Sequence, residues 1–149
     1  MALSVGMPAP AFTAQDTHGN TVSLSDFVGK TVVLYFYPKD DTPGCTKEAC
    51  SFRDSYDQYL SQGIPVLGVS RDDKASHQAF TEKFNLPFPL LADTDGAITN
   101  AYDVAGERNG FHYSLRVTYV IGSDGMIQQV YDAVQTETHA TDILAALGV

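Results

Sequence analysis

Cys45 and Cys50 are the only cysteines of the sequence, and both follow a short polar loop. Thr42 is a natural N-cap and Pro43 suits the first position of a helix, so the loop predicts a helix with Cys45 in its first turn. Unpaired N–H groups and the helix dipole stabilise a sulfur there as the thiolate, which is the nucleophilic form. A small buried hydrophobe is the ordinary explanation of a lone cysteine. The cap, the proline and the second cysteine favour a nucleophile at Cys45.

The spacing of the two cysteines limits what they can do together. In an unbroken helix, residues five apart place their Cα atoms about 8.6 Å from each other. A disulfide spans at most about 6.8 Å between Cα atoms. Any disulfide between Cys45 and Cys50 therefore requires this helix to unwind, and we predict a folded dithiol and a locally unfolded disulfide form.

Two other thiol sites fit the sequence poorly. A thioredoxin-type exchanger uses a C-x-x-C pair, whose sulfurs meet without melting the helix, and a structural zinc site needs about four ligands. The sequence offers two sulfurs and four histidines without clustered spacing. Each histidine is expected to be a surface residue rather than a ligand: His18, His77, His112 and His139.

Apolar runs alternate with helical segments along the chain that must position these thiols. The run TVVLYFY at 31–37 predicts a central strand covered on both faces, and IPVLGVS from Ile64 and FPLLAD from Phe88 predict two more. A helix is expected from Asp73 to Phe84. Strands that alternate with helices indicate βαβ units.

The C-terminal part changes pattern. RVTYVIGSDGMIQQVY contains two strand-like runs around turn residues 122–125, which predicts a hairpin, and the spacing of Ile143, Leu144 and Leu147 predicts a closing helix. The expected order is β-α-β-α-β-α-β-β-α. We therefore predict an α/β fold with a mixed sheet flanked by helices, in a single domain over residues 1–149.

Charge and hydropathy narrow the choice of partners. The net charge of −9 disfavours nucleic acid and anionic membranes as partners, because it repels phosphates and acidic lipids. The N-terminus lacks the basic and apolar regions of a secretory signal, and no stretch approaches the roughly 20 apolar residues of a spanning helix. A cytoplasmic location is expected. In a reducing compartment a disulfide is more often transient than structural.

The sequence resembles a known family at several separated places. Pro38, Thr42 and Cys45 stand as the P-x-x-x-T-x-x-C signature of peroxiredoxins, and a second cysteine at plus five is similar to the bacterioferritin-comigratory, or Q, branch with its atypical 2-Cys arrangement. The resemblance extends from GMPAPAF through VLGVSRD and RVTYVI to the final helix.

The resemblance implies a thioredoxin-like fold with an N-terminal extension. It also implies reduction of hydrogen peroxide and organic hydroperoxides, recycling by thioredoxin or a similar thiol donor, and no cofactor or metal. By position, Cys45 is the peroxidatic cysteine and Cys50 the resolving one. Thr42 orients the peroxide, Pro38 shields the pocket from water, and Arg116 is the active-site arginine.

Three of these residues also have a purely structural explanation. Thr42 could be only a cap, Pro38 a strand terminator and Arg116 a solvent-facing strand residue. Arg53 is the rival arginine, but it lies about 12 Å from Cys45 along one helix. We therefore prefer Arg116.

Two acidic residues lie close to Cys45 in the sequence. Asp40 and Asp41 would disfavour a thiolate at Cys45 unless they face solvent.

Two other functions remain alternatives to a peroxidase. One is a disulfide oxidoreductase or chaperone-like binder, and the other is a regulatory redox sensor. Because both cysteines lie on one chain, a monomer is expected.

Overall fold

The central strand of the computed structural model, which describes residues 2–149, is the apolar run that begins at Val32. It is buried on both faces along its whole length, as expected for a strand covered by two layers. The strands are β1 (Thr13–Gln15), β2 (Thr21–Ser23), β3 (Val32–Phe36), β4 (Val66–Ser70), β5 (Leu90–Ala92), β6 (Ala105–Arg108), β7 (Phe111–Ser114), β8 (Val117–Ile121) and β9 (Ile127–Tyr131). The helices are α1 (Pro43–Ser61), α2 (Lys74–Phe84), α3 (Ala97–Ala101) and α4 (His139–Leu147), and a 3-10 turn covers Leu24–Phe27.

The main sheet has five strands in the order β5-β4-β3-β8-β9. The pairs β3/β4 and β4/β5 are parallel, whereas β8 pairs antiparallel with β3 and with β9. This is the mixed, helix-flanked sheet that the alternating pattern predicts. The register of β3 against β8 pairs Phe36 with Val117, so the residue before β8 lies beside the chain leaving β3.

Two hydrophobic clusters fill the space on either side of the sheet. One packs Tyr35 and Val33 against buried residues of α1, α2 and α4, such as Phe52, Phe80 and Ile143. The other packs the opposite sheet face against α3 and the N-terminal segment. Cys45, near the start of α1, thus belongs to the first cluster.

Local signals account for several of these elements. Asp73 caps α2, where its side chain accepts a hydrogen bond from the Ser76 N–H at 2.8 Å. The turn between β8 and β9 has Gly125 at a φ of +81°, a left-handed conformation that glycine adopts without a steric penalty. Both the helix and the hairpin stand where the sequence predicts them.

Two hairpins were missing from the predicted order. β1 and β2 pair antiparallel ahead of β3, and β6 and β7 pair antiparallel between α3 and β8. Both are short and largely exposed, so neither shows the apolar run by which a buried strand is recognised. Within residues 2–149, no helix is both long and apolar enough to cross a membrane.

Candidate active site

The chain enters α1 at the place the sequence predicts, with the predicted cap residue but without a capping hydrogen bond to its side chain. Thr42 occupies the N-cap position and Pro43 the first helical position, which makes Cys45 the third residue of the helix. The Thr42 side chain accepts no capping hydrogen bond. Its hydroxyl instead donates to the carbonyl of Lys39 at 2.8 Å. Thr42 is therefore the N-cap residue, as predicted, but without the capping hydrogen bond, and its oxygen keeps its lone pairs at the start of the helix.

Cys45 is buried and in contact with an arginine. Only 1% of the residue is exposed, and the Nη2 group of Arg116 donates a hydrogen bond to its Sγ atom at 3.3 Å. Gly44 makes room for that contact, since a Cβ atom at this position would lie 3.0 Å from Nη2. A guanidinium in contact with the sulfur stabilises the thiolate by charge and by hydrogen bonding.

Arg116 reaches the sulfur because of the sheet register. It immediately precedes β8 and lies beside the end of β3, where the chain turns toward α1. Its second nitrogen, Nη1, donates to Oε1 of Glu48 at 2.8 Å. The planar guanidinium thus holds two groups of one helix at once, which a point charge could not do with the same geometry.

Glu48 is the carboxylate that sequence reasoning missed. Its side chain is fully buried, and burial raises its pKa to about 7, against the opposing effect of Arg116. A signal for it existed: position 48 lies three residues after Cys45 and four before Phe52, on the buried face of the helix. A charged residue on such a face calls for a buried partner.

His139 lies on the far side of Glu48. Its Nε2 atom is 2.8 Å from the Thr118 hydroxyl and 3.8 Å from Oε2 of Glu48. Burial lowers the pKa of His139 to about 4, so the imidazole is neutral at pH 7. The expectation of surface histidines is wrong for His139 and for His77, which are both buried and hydrogen-bonded.

The carboxylates of the two loop aspartates have partners other than Cys45. Asp40 is buried, and its carboxylate is bonded to Tyr37, to Ser76 and to Nδ1 of His77. Asp41 is exposed and pairs with Lys83 at 2.9 Å. Of the two, only Asp41 faces solvent.

The same network contains the one group of possible metal ligands among residues 2–149, namely Asp40, Asp72 and His77. Their polar atoms already bond within the protein. The Asp40 N–H donates to Asp72, and Nε2 of His77 is 2.9 Å from the Leu91 carbonyl oxygen. The network therefore anchors the loop before α1 to the start of α2.

Pro38 and Cys50 are the other site residues that the sequence predicts. Pro38 follows β3 and is half-buried, and Cys50 is half-buried farther along α1. Both cysteines are free thiols within an intact helix. Arg53 points elsewhere, with Nη1 donating to the Phe84 carbonyl at 2.9 Å and Nε to Asp54 at 3.0 Å. The structure thus brings Arg116, rather than Arg53, to the sulfur.

Glu48 and His139 give opposite pH dependences of stability. The Glu48 pKa rises from 4.5 to about 7 on folding, so its contribution is present below pH 4.5 and is lost as the pH rises through 7. The His139 pKa falls from 6.5 to about 4, so its contribution is present above pH 6.5 and is lost as the pH falls toward 4. The two slopes oppose each other between those limits.

We expect single substitutions to expose each slope. Over pH 4.5 to 7, the free energy of unfolding of Glu48→Gln should rise with pH, whereas that of His139→Asn should fall, each by up to about 3 kcal/mol. Urea unfolding at several pH values measures both. Parallel profiles for the two variants would contradict the assignment of the buried charges.

Comparison with known proteins agrees with this geometry. The sequence profile of the AhpC/TSA family matches residues 5–130. The chain is also 44% identical to a putative peroxiredoxin of Coxiella burnetii, over 99% of this chain and 100% of that one. The chain belongs to the peroxiredoxin family. This peroxiredoxin is a peroxidase that reduces peroxides with the help of thiols.

Solved peroxiredoxin structures share the whole fold. A cysteine-to-serine mutant of PrxQ from Xylella fastidiosa superimposes with a TM-score of 0.92 at 31% identity, covering 99% of this chain and 97% of that one. The bacterioferritin comigratory protein of Xanthomonas campestris, studied for its alkyl peroxide reduction activity, gives a TM-score of 0.89 at 33% identity, covering 97% and 98%. The fold of this peroxiredoxin is thioredoxin-like, as the sequence resemblance implies.

Proposed function

We propose that Cys45 reduces hydrogen peroxide and organic hydroperoxides, and that Cys50 resolves the product as an intramolecular disulfide. The Cys45 thiolate attacks the peroxide oxygen that carries hydrogen, an S–O bond forms, and the O–O bond breaks as the alkoxide or hydroxide departs. The Cys50 thiol then displaces water from the sulfenic acid. The observation that carries the proposal is the 3.3 Å hydrogen bond from Arg116 to the Cys45 sulfur.

The groups around the sulfur divide the work between them. Arg116 stabilises the thiolate and the charge that develops as the O–O bond breaks. Thr42 offers a hydroxyl oxygen that makes no helix-capping hydrogen bond, so it can accept a hydrogen bond from the peroxide O–H and fix the peroxide's orientation. Pro38 covers the pocket against water. The alkyl peroxide activity studied for the Xanthomonas campestris relative supports organic hydroperoxides as substrates.

Recycling completes the proposed cycle. Thioredoxin or a similar dithiol donor reduces the Cys45–Cys50 disulfide, which becomes accessible once the helix has unwound. Because both sulfurs belong to one chain, the cycle needs no second subunit, and we propose a monomer. The two free thiols suit a reducing compartment such as the cytoplasm.

Cys50→Ser tests the intramolecular step. Without a resolving thiol the Cys45 sulfenic acid persists, so excess peroxide should convert it to sulfinic acid, a mass gain of about 32 Da. The wild type at the same peroxide concentration should accumulate the disulfide. Mass spectrometry of both proteins, with Cys45→Ser as the unreactive control, gives the answer. Equal overoxidation of the wild type and Cys50→Ser would remove Cys50 from the mechanism.

A further inference from the structure

The Arg116 guanidinium binds two acidic side chains of α1, Cys45 and Glu48. Arg116 donates from Nη2 to the Cys45 sulfur at 3.3 Å and from Nη1 to Oε1 of Glu48 at 2.8 Å. Among residues 2–149, the other Glu48 oxygen, Oε2, is buried without a hydrogen-bond partner. A fully buried carboxylate with one bare oxygen is costly when it is ionised.

Within residues 2–149, Arg116 is the one charged group that acts on the Glu48 carboxyl. The groups that face Glu48 from the neighbouring elements are Tyr35 of β3, His139 of α4, Arg116 and Cys45. Burial holds the phenol of Tyr35 neutral by raising its pKa, and it holds His139 neutral by lowering its pKa. A Cys45 thiolate beside an ionised Glu48 would therefore place two negative charges against one positive charge in a buried site. The charge balance favours one proton within the pair.

We propose that Glu48 holds that proton while Cys45 is a thiolate, and releases it when the sulfur loses its charge, so that the release balances the proton that the departing oxygen takes up from water. The inference deepens the proposed function and rests on it. Glu48 acts through Arg116 and touches no substrate, so it is a positioning and proton-holding residue.

The step balances in atoms and charge. The thiolate attacks the peroxide, giving sulfenic acid and an alkoxide or hydroxide, and the alkoxide or hydroxide gains one proton as Glu48 loses one. Arg116 stays protonated throughout. Once the sulfur is neutral, the guanidinium charge stabilises the Glu48 carboxylate alone. Burial raises the Glu48 pKa to about 7, so a neutral solution lies where the carboxyl can both hold and release a proton.

Proton counting distinguishes this role from a structural one. Oxidation of a thiolate by hydrogen peroxide to sulfenic acid and water consumes one proton from solution. In the Cys50→Ser background, a weakly buffered solution with a pH indicator should show one proton taken up per sulfur well below pH 7, because there Glu48 keeps its proton even beside a neutral sulfur. Just above pH 7, where the carboxyl ionises once the thiolate charge is gone, uptake should fall toward zero as one equivalent of hydrogen peroxide reacts. With Glu48→Gln added, uptake should be one proton at both pH values.

The matched control is Glu137→Gln, which removes a surface carboxylate paired with Lys47, the residue next to Glu48 in α1. It should behave like the parent at both pH values. Equal uptake by the parent and Glu48→Gln just above pH 7, whether one proton or none, would overturn the inference. If Glu48→Gln does not fold, the parent alone decides, because pH-independent uptake would overturn it as well. Failure of hydrogen peroxide to oxidise Cys45 at all would instead count against the proposed function.

Discussion

Arg116→Lys should slow the reaction of Cys45 with hydrogen peroxide by about a hundredfold, the usual cost of one donor that stabilises a transition-state charge. The wild-type side chain donates to the Cys45 sulfur and to Glu48 from two nitrogens of one plane. A lysine ammonium is a single point, so it cannot hold both groups and still face the breaking O–O bond.

Thiolate population alone cannot explain such a loss. At pH 7 an ordinary thiol is about 3% ionised, so full ionisation gains about thirtyfold. A lower thiol pKa also makes the thiolate about thirteenfold less nucleophilic, so the net gain in rate is roughly twofold. Most of the acceleration must therefore come from positioning and charge stabilisation at Arg116, Thr42 and the helix N-terminus.

Rapid-quench mass spectrometry under excess peroxide measures the rate constant. Arg53→Lys is the matched control, since Arg53 lies on the helix that carries Cys45 but bonds to Asp54 and Phe84. It should react at the wild-type rate. A near-normal rate for Arg116→Lys would show that the second nitrogen of the fork is dispensable.

Oxidation to the disulfide should expose the start of α1 to amide exchange. The Cα atoms of residues five apart in a helix are about 8.6 Å apart, beyond the reach of a disulfide. The first turns must therefore open, at the expense of the contacts of Cys45 and Glu48 with Arg116 and of Lys47 with Glu137. We expect exchange at 46–50 to accelerate by at least tenfold, an order-of-magnitude estimate for local unfolding.

The structure indicates where the opening stops. The Ser51 hydroxyl accepts from the Ala140 N–H at 3.0 Å, Tyr59 donates to the Ala140 carbonyl at 2.6 Å, and Phe52 is fully buried. Before the helix, the Asp40 network holds the loop to α2. Exchange beyond residue 52 should therefore stay at its dithiol value.

Hydrogen exchange with mass spectrometry on reduced and peroxide-treated protein measures the change. Peroxide-treated Cys50→Ser is the control, because it cannot form the disulfide and should keep its helix. Identical protection of 46–50 in the dithiol and disulfide forms would contradict the unwinding.

The elements that the sequence predicted well carry their signal locally. The run from Val32 to Phe36 is buried on both faces, and the cap, proline and cysteine pattern marks the first turn of α1. The hairpin of β6 and β7 was missed although its turn, Asn109-Gly110, has both residues at positive φ, 52° and 81°. Such a pair is a strong hairpin signal, but the flanking AGER strand is short, polar and exposed.

The partners within the site could not be read from the sequence. Arg116 was found through the family resemblance, but its bond to Glu48 joins residues 68 positions apart. His77 meets Asp40 across 37 positions and His139 meets Thr118 across 21. Burial of these side chains depends on which elements pack together, and a one-dimensional pattern does not specify that.

The most direct test of the central claim is the intact mass of reduced protein, quenched within about a second of adding one equivalent of hydrogen peroxide at low micromolar concentration. We predict a loss of about 2 Da, the mark of a disulfide formed through sulfenic acid, and no change in Cys45→Ser. A gain of about 16 Da would contradict resolution by Cys50. An unchanged wild-type mass would contradict the assignment of Cys45 as the peroxide-reducing thiol.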